Sequence, residues 1–214
     1  MSRLLAPRLQ RLRFTLFAPF YDAVVRLDGA RRRSLELLAL GPGQRILLLG
    51  AGTGADLPLL PDGVRALVTD ITPAMLDRAR RRARPGHELA VMNAMALDLP
   101  DASFDAAVLH LILALVPDPG RVLAEVARVV RPGGRIVVLD KGLAPGQEAS
   151  PLRRAASFVT RLIASDLNLQ LGTLIAESRA PVTVVHDEVV GFGGLLRATL
   201  LERLEGQGTV DRTA

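Results

Sequence analysis

The sequence predicts an α/β protein built on a doubly wound, mostly parallel sheet, and three observations carry this. From residue 45 to residue 139, apolar runs of strand length alternate with stretches of helical periodicity. The first run, Ile46-Leu47-Leu48-Leu49, feeds directly into glycines at alternate positions, Gly50, Gly52 and Gly54. A buried parallel strand that turns sharply on glycine into a helix is a cradle for a nucleotide-like ligand. Beyond Ala144 the alternation stops, and two strand-like runs split by Gly191-Phe192-Gly193-Gly194 read as an antiparallel hairpin added at the sheet edge.

The elements follow in order. Residues 3–16 place Leu5, Leu9, Leu12 and Leu16 at helical spacing with arginines opposite, a basic amphipathic helix. Residues 21–40 form a second helical stretch, stopped by Gly41-Pro42-Gly43. Strand one is 45–49, and a short helix broken by Pro58 and Pro61 follows the glycine loop. Residues 64–69 make strand two, ending at Asp70; Thr72 caps the next helix, with Pro73 at its first position and its end near Ala83. Strands three and four are 88–92 and 104–109. Asp118-Pro119 opens a helix whose stripe is Val122, Leu123, Val126, Val129 and Val130, closed at Gly133 before strand five at 134–139. A helix over 151–164 precedes the hairpin strands 182–190 and 195–201.

Bulk composition narrows the function. The 214 residues suit one α/β domain with a small appendage. Aromatic residues make up 3% of the chain, too few for base-stacking platforms, and no nucleic-acid-binding fingerprint accompanies the net charge of +5, so nucleic acid is not an expected partner. The absence of cysteine excludes disulfides and thiolate metal sites, and no histidine–acid cluster has ligand spacing, so no metal is expected. The longest apolar run, residues 106–116, is too short to span a bilayer and is interrupted by His110; with no signal-peptide pattern at the N-terminus, the expected location is cytoplasmic.

The glycine loop alone leaves the cofactor open. Gly50-x-Gly52-x-x-Ala55 with Asp70 about twenty residues on satisfies the loose dinucleotide pattern, so a nicotinamide-dependent oxidoreductase is one reading. Gly50-x-Gly52-x-Gly54 fits a second pattern, and five segments in register support it: residues 49–54, residues 68–76 with Pro73-Ala74-Met75-Leu76, Asn93-Ala94 with residues 99–105, the helix over 123–130, and Arg131-Pro132-Gly133-Gly134. Over roughly residues 40–140 the chain resembles the class I S-adenosylmethionine-dependent methyltransferases. With Ala18-Pro19-Phe20-Tyr21-Asp22 it resembles the branch of ubiquinone/menaquinone-biosynthesis and bacterial phosphatidylethanolamine methyltransferases.

The resemblance implies a Rossmann-like, seven-stranded methyltransferase fold, with residues 1–40 as an N-terminal helical lid and residues 41–214 as the methyltransferase domain. It implies S-adenosyl-L-methionine as cofactor, held by Gly50, Ala51, Gly52, Thr53, Gly54, Asp70, Ile71, Asn93 and Ala94. Asp70 can accept both ribose hydroxyls, Ile71 can pack on adenine, and Asn93 stands near the adenine edge. The purely structural alternatives are a helix-start acid at Asp70 and a turn residue at Asn93. Leu48 and Asn93 stand where the family often has acids, which keeps a non-catalytic cofactor-binding module in view. On the acceptor side, His110 at the end of strand four is a candidate to orient the substrate or act as base, against plain packing at a strand end. Tyr21 is the second candidate, on the helix that closes over the cofactor. The implied acceptor is a small molecule or lipid, and the basic N-terminal helix is either a lid or a peripheral membrane contact.

Overall fold

The computed structural model describes residues 27–142, 170–191, 194 and 196–205. Eleven elements organise them: α1 (Asp28–Leu37), β1 (Arg45–Leu49), β2 (Arg65–Asp70), α2 (Pro73–Ala79), β3 (His87–Val91), β4 (Phe104–His110), α3 (Pro119–Val129), β5 (Val130–Lys141), α4 (Leu171–Ser178), β6 (Val182–Gly191) and β7 (Leu196–Arg203). Single 3-10 turns at Leu57–Leu59 and Arg80–Arg82 complete the order.

The seven strands form one sheet in the order β3-β2-β1-β4-β5-β7-β6. β1 pairs in parallel with β2 and β4, as do β2 with β3 and β4 with β5. β7 runs antiparallel to β5 and β6 and so carries the predicted C-terminal hairpin. The strand order reverses between β1 and β4, which leaves a crevice at their C-terminal ends.

Side-chain alternation on the central strands explains both cores. Leu47, Leu49, Ala107, Leu109, Ile136 and Val138 face α3 and meet its stripe of Val122, Leu123 and Val126. Ile46, Leu48, Ala106, Val108 and Val137 face the other way, against Leu35 and Leu38 at α1 and Leu76 and Ala79 on α2. Ile46, Leu47, Leu48 and Leu49 are at most 2% exposed, so each contributes about 1.5–3 kcal/mol of burial. β1 is therefore apolar on both faces, which is why it reads as a continuous run.

At the opposite end of the sheet from the crevice, Asp105 ties three segments together. It accepts the Arg45 amide at 2.7 Å and the Arg131 guanidinium at 2.9 Å. Between the pairs Phe104↔Val130 and Ala106↔Arg135, β4 advances two residues and β5 five, so the Arg-Pro-Gly-Gly stretch bows out of the ladder. Gly134 is required there, because a Cβ would lie 2.8 Å from the carbonyls of both Arg131 and Asp105.

Several local expectations are corrected. The helix after Thr72 closes at Ala79 and tightens into the 3-10 turn Arg80–Arg82. Thr72 makes no side-chain cap; it turns back on the Asp70 carboxylate instead, which accepts the Thr72 amide at 2.8 Å and the Thr72 hydroxyl. α3 ends at Val129, and residues 131–134 belong to β5. α4 was not anticipated; Leu171, Leu174 and Ile175 pack its one apolar edge on the α3 side of the sheet. The amphipathic helix at 3–16, the start of the helix at 21–40 with Tyr21, and the helix at 151–164 lie outside the described residues.

Candidate active site

The crevice holds a cavity of about 350 Å³. Its floor is the loop after β1, with Gly50 and Gly52 in the left-handed region at φ of 64° and 55°. Ala51 is pinned by its amide, which donates to the Thr69 carbonyl at 2.9 Å. Thr53 is buried, and its hydroxyl accepts Arg82 Nη1 at 3.3 Å. The second and third glycines serve different ends. A Cβ on Gly54 would meet Ala79 and Leu57 at 2.9 Å, whereas a Cβ on Gly52 would meet nothing within 4 Å. Gly54 permits close packing of α2, and Gly52 borders open space. Gly50, Ala51, Gly52 and Thr53 line the cavity; Gly54 sits behind it.

Asp70 and Ile71 form one side. The Asp70 carboxylate accepts the Gly52 amide at 2.9 Å through one oxygen and the Thr72 amide through the other. The Thr72 hydroxyl and the Ile71 amide also donate to this carboxylate. Burial pushes this carboxyl up from its ordinary range, partly offset by the amides of Thr72, Gly52 and Ile71 and by the Thr72 hydroxyl. Ile71 is 37% exposed, an apolar face at the cavity rim. Asn93 and Ala94 follow β3, and Asn93 Oδ1 accepts the Met95 amide at 3.0 Å, so Asn93 is a turn residue whose amide nitrogen makes no part of that turn.

The opposite end is polar and buried. Arg31 on α1 donates through Nη1 to both oxygens of Asp56 at 2.8 Å, and His110 Nδ1 lies 2.8 Å from Asp56 Oδ1. His110 Nε2 lies 3.0 Å from the hydroxyl of Ser34, one turn along α1 from Arg31. In the neutral ring Nδ1–H donates to Asp56, and Nε2 accepts the hydroxyl proton. Burial pushes the Asp56 carboxyl up, but the imidazole and the guanidinium outweigh it and hold the group well below the usual carboxylate range. Both ring nitrogens of His110 are thus engaged, which makes it a positioning group in this geometry. Arg31, Asp56 and His110 line the cavity, while Ser34 does not. The remaining wall is apolar: Leu111, Ile112, Leu115 and Val116. Leu111 adopts φ of 59°, a conformation costing an L-residue about 1–2 kcal/mol.

The structure brings His110 to the same cavity as the predicted loop, acid and Asn93-Ala94 residues, and Tyr21 lies outside the described residues. Asp56, Arg31 and Ser34 were not anticipated. The i, i+3 spacing of Arg31 and Ser34 on one helix was the available signal.

A sheet in the order 3-2-1-4-5-7-6, with a glycine loop after β1 and an acid ending β2, is the Rossmann-like fold of the class I methyltransferases. Residues 47–138 match the family described as a methyltransferase domain. The sequence is 41% identical over 103 residues to a phosphatidylethanolamine N-methyltransferase of Cereibacter sphaeroides, covering 46% of this chain and 51% of that protein. It is 38% identical over 130 residues to a demethylmenaquinone methyltransferase of Renibacterium salmoninarum, covering 58% and 54%. The matched stretch spans about half the length of each relative. In fold, the chain is similar to the methyltransferase in complex with the Haloferax volcanii Trm112 activator, with a TM-score of 0.73 at 16% identity, covering 90% of this chain and 98% of that one.

Proposed function

We propose that this chain transfers a methyl group from S-adenosylmethionine to a small-molecule or lipid acceptor. The observation that carries the reading is the open space at Gly52. The backbone there takes a left-handed turn, no atom approaches within 4 Å of where a Cβ would stand, and the cavity begins at that point. A left-handed glycine that faces open cavity space, with no protein packed on it, fits a ligand lying against the backbone.

The residues present suit the cofactor. The Asp70 carboxylate lines the cavity as an acceptor for ribose hydroxyls, Ile71 and Met75 offer apolar surface for the adenine face, and Asn93 and Ala94 offer polar backbone and side-chain groups at its edge. When bound, the cofactor supplies an electrophilic methyl group. The chain's contribution is alignment and exclusion of water. His110, locked between Asp56 and Ser34, fixes the end of β4 and the left-handed turn at Leu111, and so sets the apolar wall against which an acceptor rests.

That wall suits an acceptor with an apolar body, and the two relatives are named for phosphatidylethanolamine and demethylmenaquinone. Tyr21 and the basic helix at 3–16 complete the proposal as a cover for the acceptor, in a cytoplasmic enzyme that touches the membrane surface. Calorimetry with S-adenosylmethionine, S-adenosylhomocysteine and NADH tests the reading. Binding of S-adenosylmethionine and S-adenosylhomocysteine and not of NADH supports it; NADH binding alone moves the chain to the oxidoreductases. Salt-sensitive co-sedimentation with anionic vesicles, lost on deletion of residues 1–17, tests the membrane contact.

A further inference from the structure

The chain contains no cysteine, so the thioethers of its four methionines are its only sulfur. A mild oxidant meets no thiolate ahead of them. Three of the four, Met75, Met92 and Met95, line the cavity, and the fourth is Met1. Methionine ordinarily fills irregular gaps in a core. Met75 fits that use, buried on α2 at 7% exposure. Met92 and Met95 do not. Both are half-buried, packed on one side against the core that faces α3 and bordering the cavity on the other. Their backbones are pinned: the Met92 amide donates to the Asp70 carbonyl at 3.0 Å, and the Met95 amide donates to Asn93 Oδ1 at 3.0 Å. Two thioethers therefore flank Asn93 on a fixed turn, and both keep surface that a small solute can reach.

We propose that Met92 and Met95 form a reversible oxidation site, through which hydrogen peroxide bars the cavity to its ligand. A sulfur lone pair attacks one peroxide oxygen, and the S–O bond forms as the O–O bond breaks. The hydroxide that leaves takes the proton from the transferred oxygen and becomes water. Sulfur gives up two electrons, and the peroxide gains them. The product replaces an apolar, flexible thioether with a polar, chiral sulfoxide. The neighbouring wall is apolar, with Ile71 and Met75 beside the pair. Each new oxygen therefore stands where apolar ligand surface would rest, and it loses its water when ligand arrives. Methionine sulfoxide reductases, one for each epimer, restore the thioethers. The inference rests on the reading that this end of the cavity takes the adenosine of S-adenosylmethionine.

The test treats the full chain with hydrogen peroxide, quenches with catalase, and reads one sample in two ways. Peptide mass spectrometry should find an added oxygen on Met92 and Met95 well before Met75, the buried control, and saturating S-adenosylhomocysteine should slow oxidation of the pair. Calorimetry should show S-adenosylhomocysteine bound at least about tenfold more weakly after oxidation, with affinity restored by the two reductases. The double variant Met92→Leu, Met95→Leu keeps side-chain volume and removes the sulfur. Whatever its starting affinity, peroxide should change it less than about twofold. Oxidation of Met75 as fast as the pair, affinity that survives oxidation of Met92 and Met95, or a loss that the reductases do not reverse overturns the site. These wild-type readings decide it even where the double variant does not fold. An undiminished loss in a folded double variant overturns it as well. Reduced wild type that binds no S-adenosylhomocysteine overturns the cofactor reading itself, and the oxidation site falls with it.

Discussion

The Asp70 carboxylate accepts the backbone amide of Gly52 at 2.9 Å, across 18 residues of sequence, and so joins the end of β2 to the loop after β1. One side chain therefore braces the turn and borders the cavity that the turn creates. The same carboxylate accepts the Thr72 amide, which fixes the start of α2. On the proposed reading, bracing and binding are coupled at this position, and a substitution there acts on both.

Asp70→Ala should reduce stability by about 2 kcal/mol, since two backbone amides lose a charged acceptor. It should also weaken S-adenosylhomocysteine by at least about tenfold. Asp70→Asn keeps one acceptor oxygen and should recover part of the stability without recovering the affinity. Urea denaturation and calorimetry on the same samples separate the two effects. An Ala variant that binds as tightly as wild type removes Asp70 from the ligand site.

The two glycines flanking Thr53 should respond in opposite ways. Gly52→Ala places a methyl group in open space, so the fold bears only the strain of a left-handed L-residue, about 1–2 kcal/mol, while the ligand loses its place on the backbone. Gly54→Ala carries the same strain and in addition drives Cβ against Ala79 and Leu57 at 2.9 Å, which adds about 1–3 kcal/mol of overpacking. Thermal melts should rank Gly54→Ala well below Gly52→Ala, and titration should show binding lost in Gly52→Ala. Normal binding by Gly52→Ala shows that the ligand does not lie on the loop.

Arg128 clasps the segment that follows Asn93-Ala94. It donates to the carbonyls of Leu97 at 2.9 Å and Leu99 at 2.8 Å, and to Glu125 and Asp101. Glu125 in turn accepts the Leu97 amide at 2.7 Å. Arg128→Met retains the stem and removes the donors, so it should cost about 2 kcal/mol. Amide hydrogen exchange should rise across residues 93–101, while β1 and β4 keep their protection. Unchanged exchange over that stretch shows that the clasp does not hold the loop.

The strands and the cavity floor were legible because local pattern determines them. The both-face apolar run at β1 could only be a central strand, and its bounds match the structure at Arg45–Leu49. The hairpin was legible from its glycine break, and α3 from its stripe, with Asp118 capping through the Arg121 amide at 2.9 Å. What pattern could not show is side-chain pairing across the fold. Asp56 reads as one more acid in a proline-broken turn until β4 brings His110, and α1 brings Arg31, to its two oxygens. Thr72 reads as a cap because its own sequence neighbours favour that role, yet its hydroxyl is drawn to the carboxylate two residues earlier. α4 was missed because its apolar edge, Leu171, Leu174 and Ile175, is narrow and no residue of it is fully buried.

Asp140 links the fold's pH response to the acceptor wall. It ends β5 at 4% exposure, accepting the Lys141 amide at 2.8 Å and the Ala114 amide at 3.2 Å; the second bond anchors the segment that carries Leu111, Ile112 and Leu115. Burial outweighs these bonds and pushes its carboxyl up to about 6, from 3.8 in the unfolded chain. Below pH 4 both states hold the proton. Between about 4 and 6 the folded chain keeps a proton that the unfolded chain has released, so stability falls as pH rises, and above 6 both are charged. The full difference corresponds to about 3 kcal/mol. Asp140→Asn cannot ionise. Wild-type stability measured against that variant should therefore drop by about 3 kcal/mol between pH 3 and pH 7 and then level off. The shifted carboxyls of Asp70, Asp56, Asp105, Glu125 and Glu188 are common to both proteins and cancel in this difference. Urea denaturation at half-unit pH steps supplies the curve, and a difference that stays flat across the window shows that Asp140 is not shielded from solvent at the end of β5.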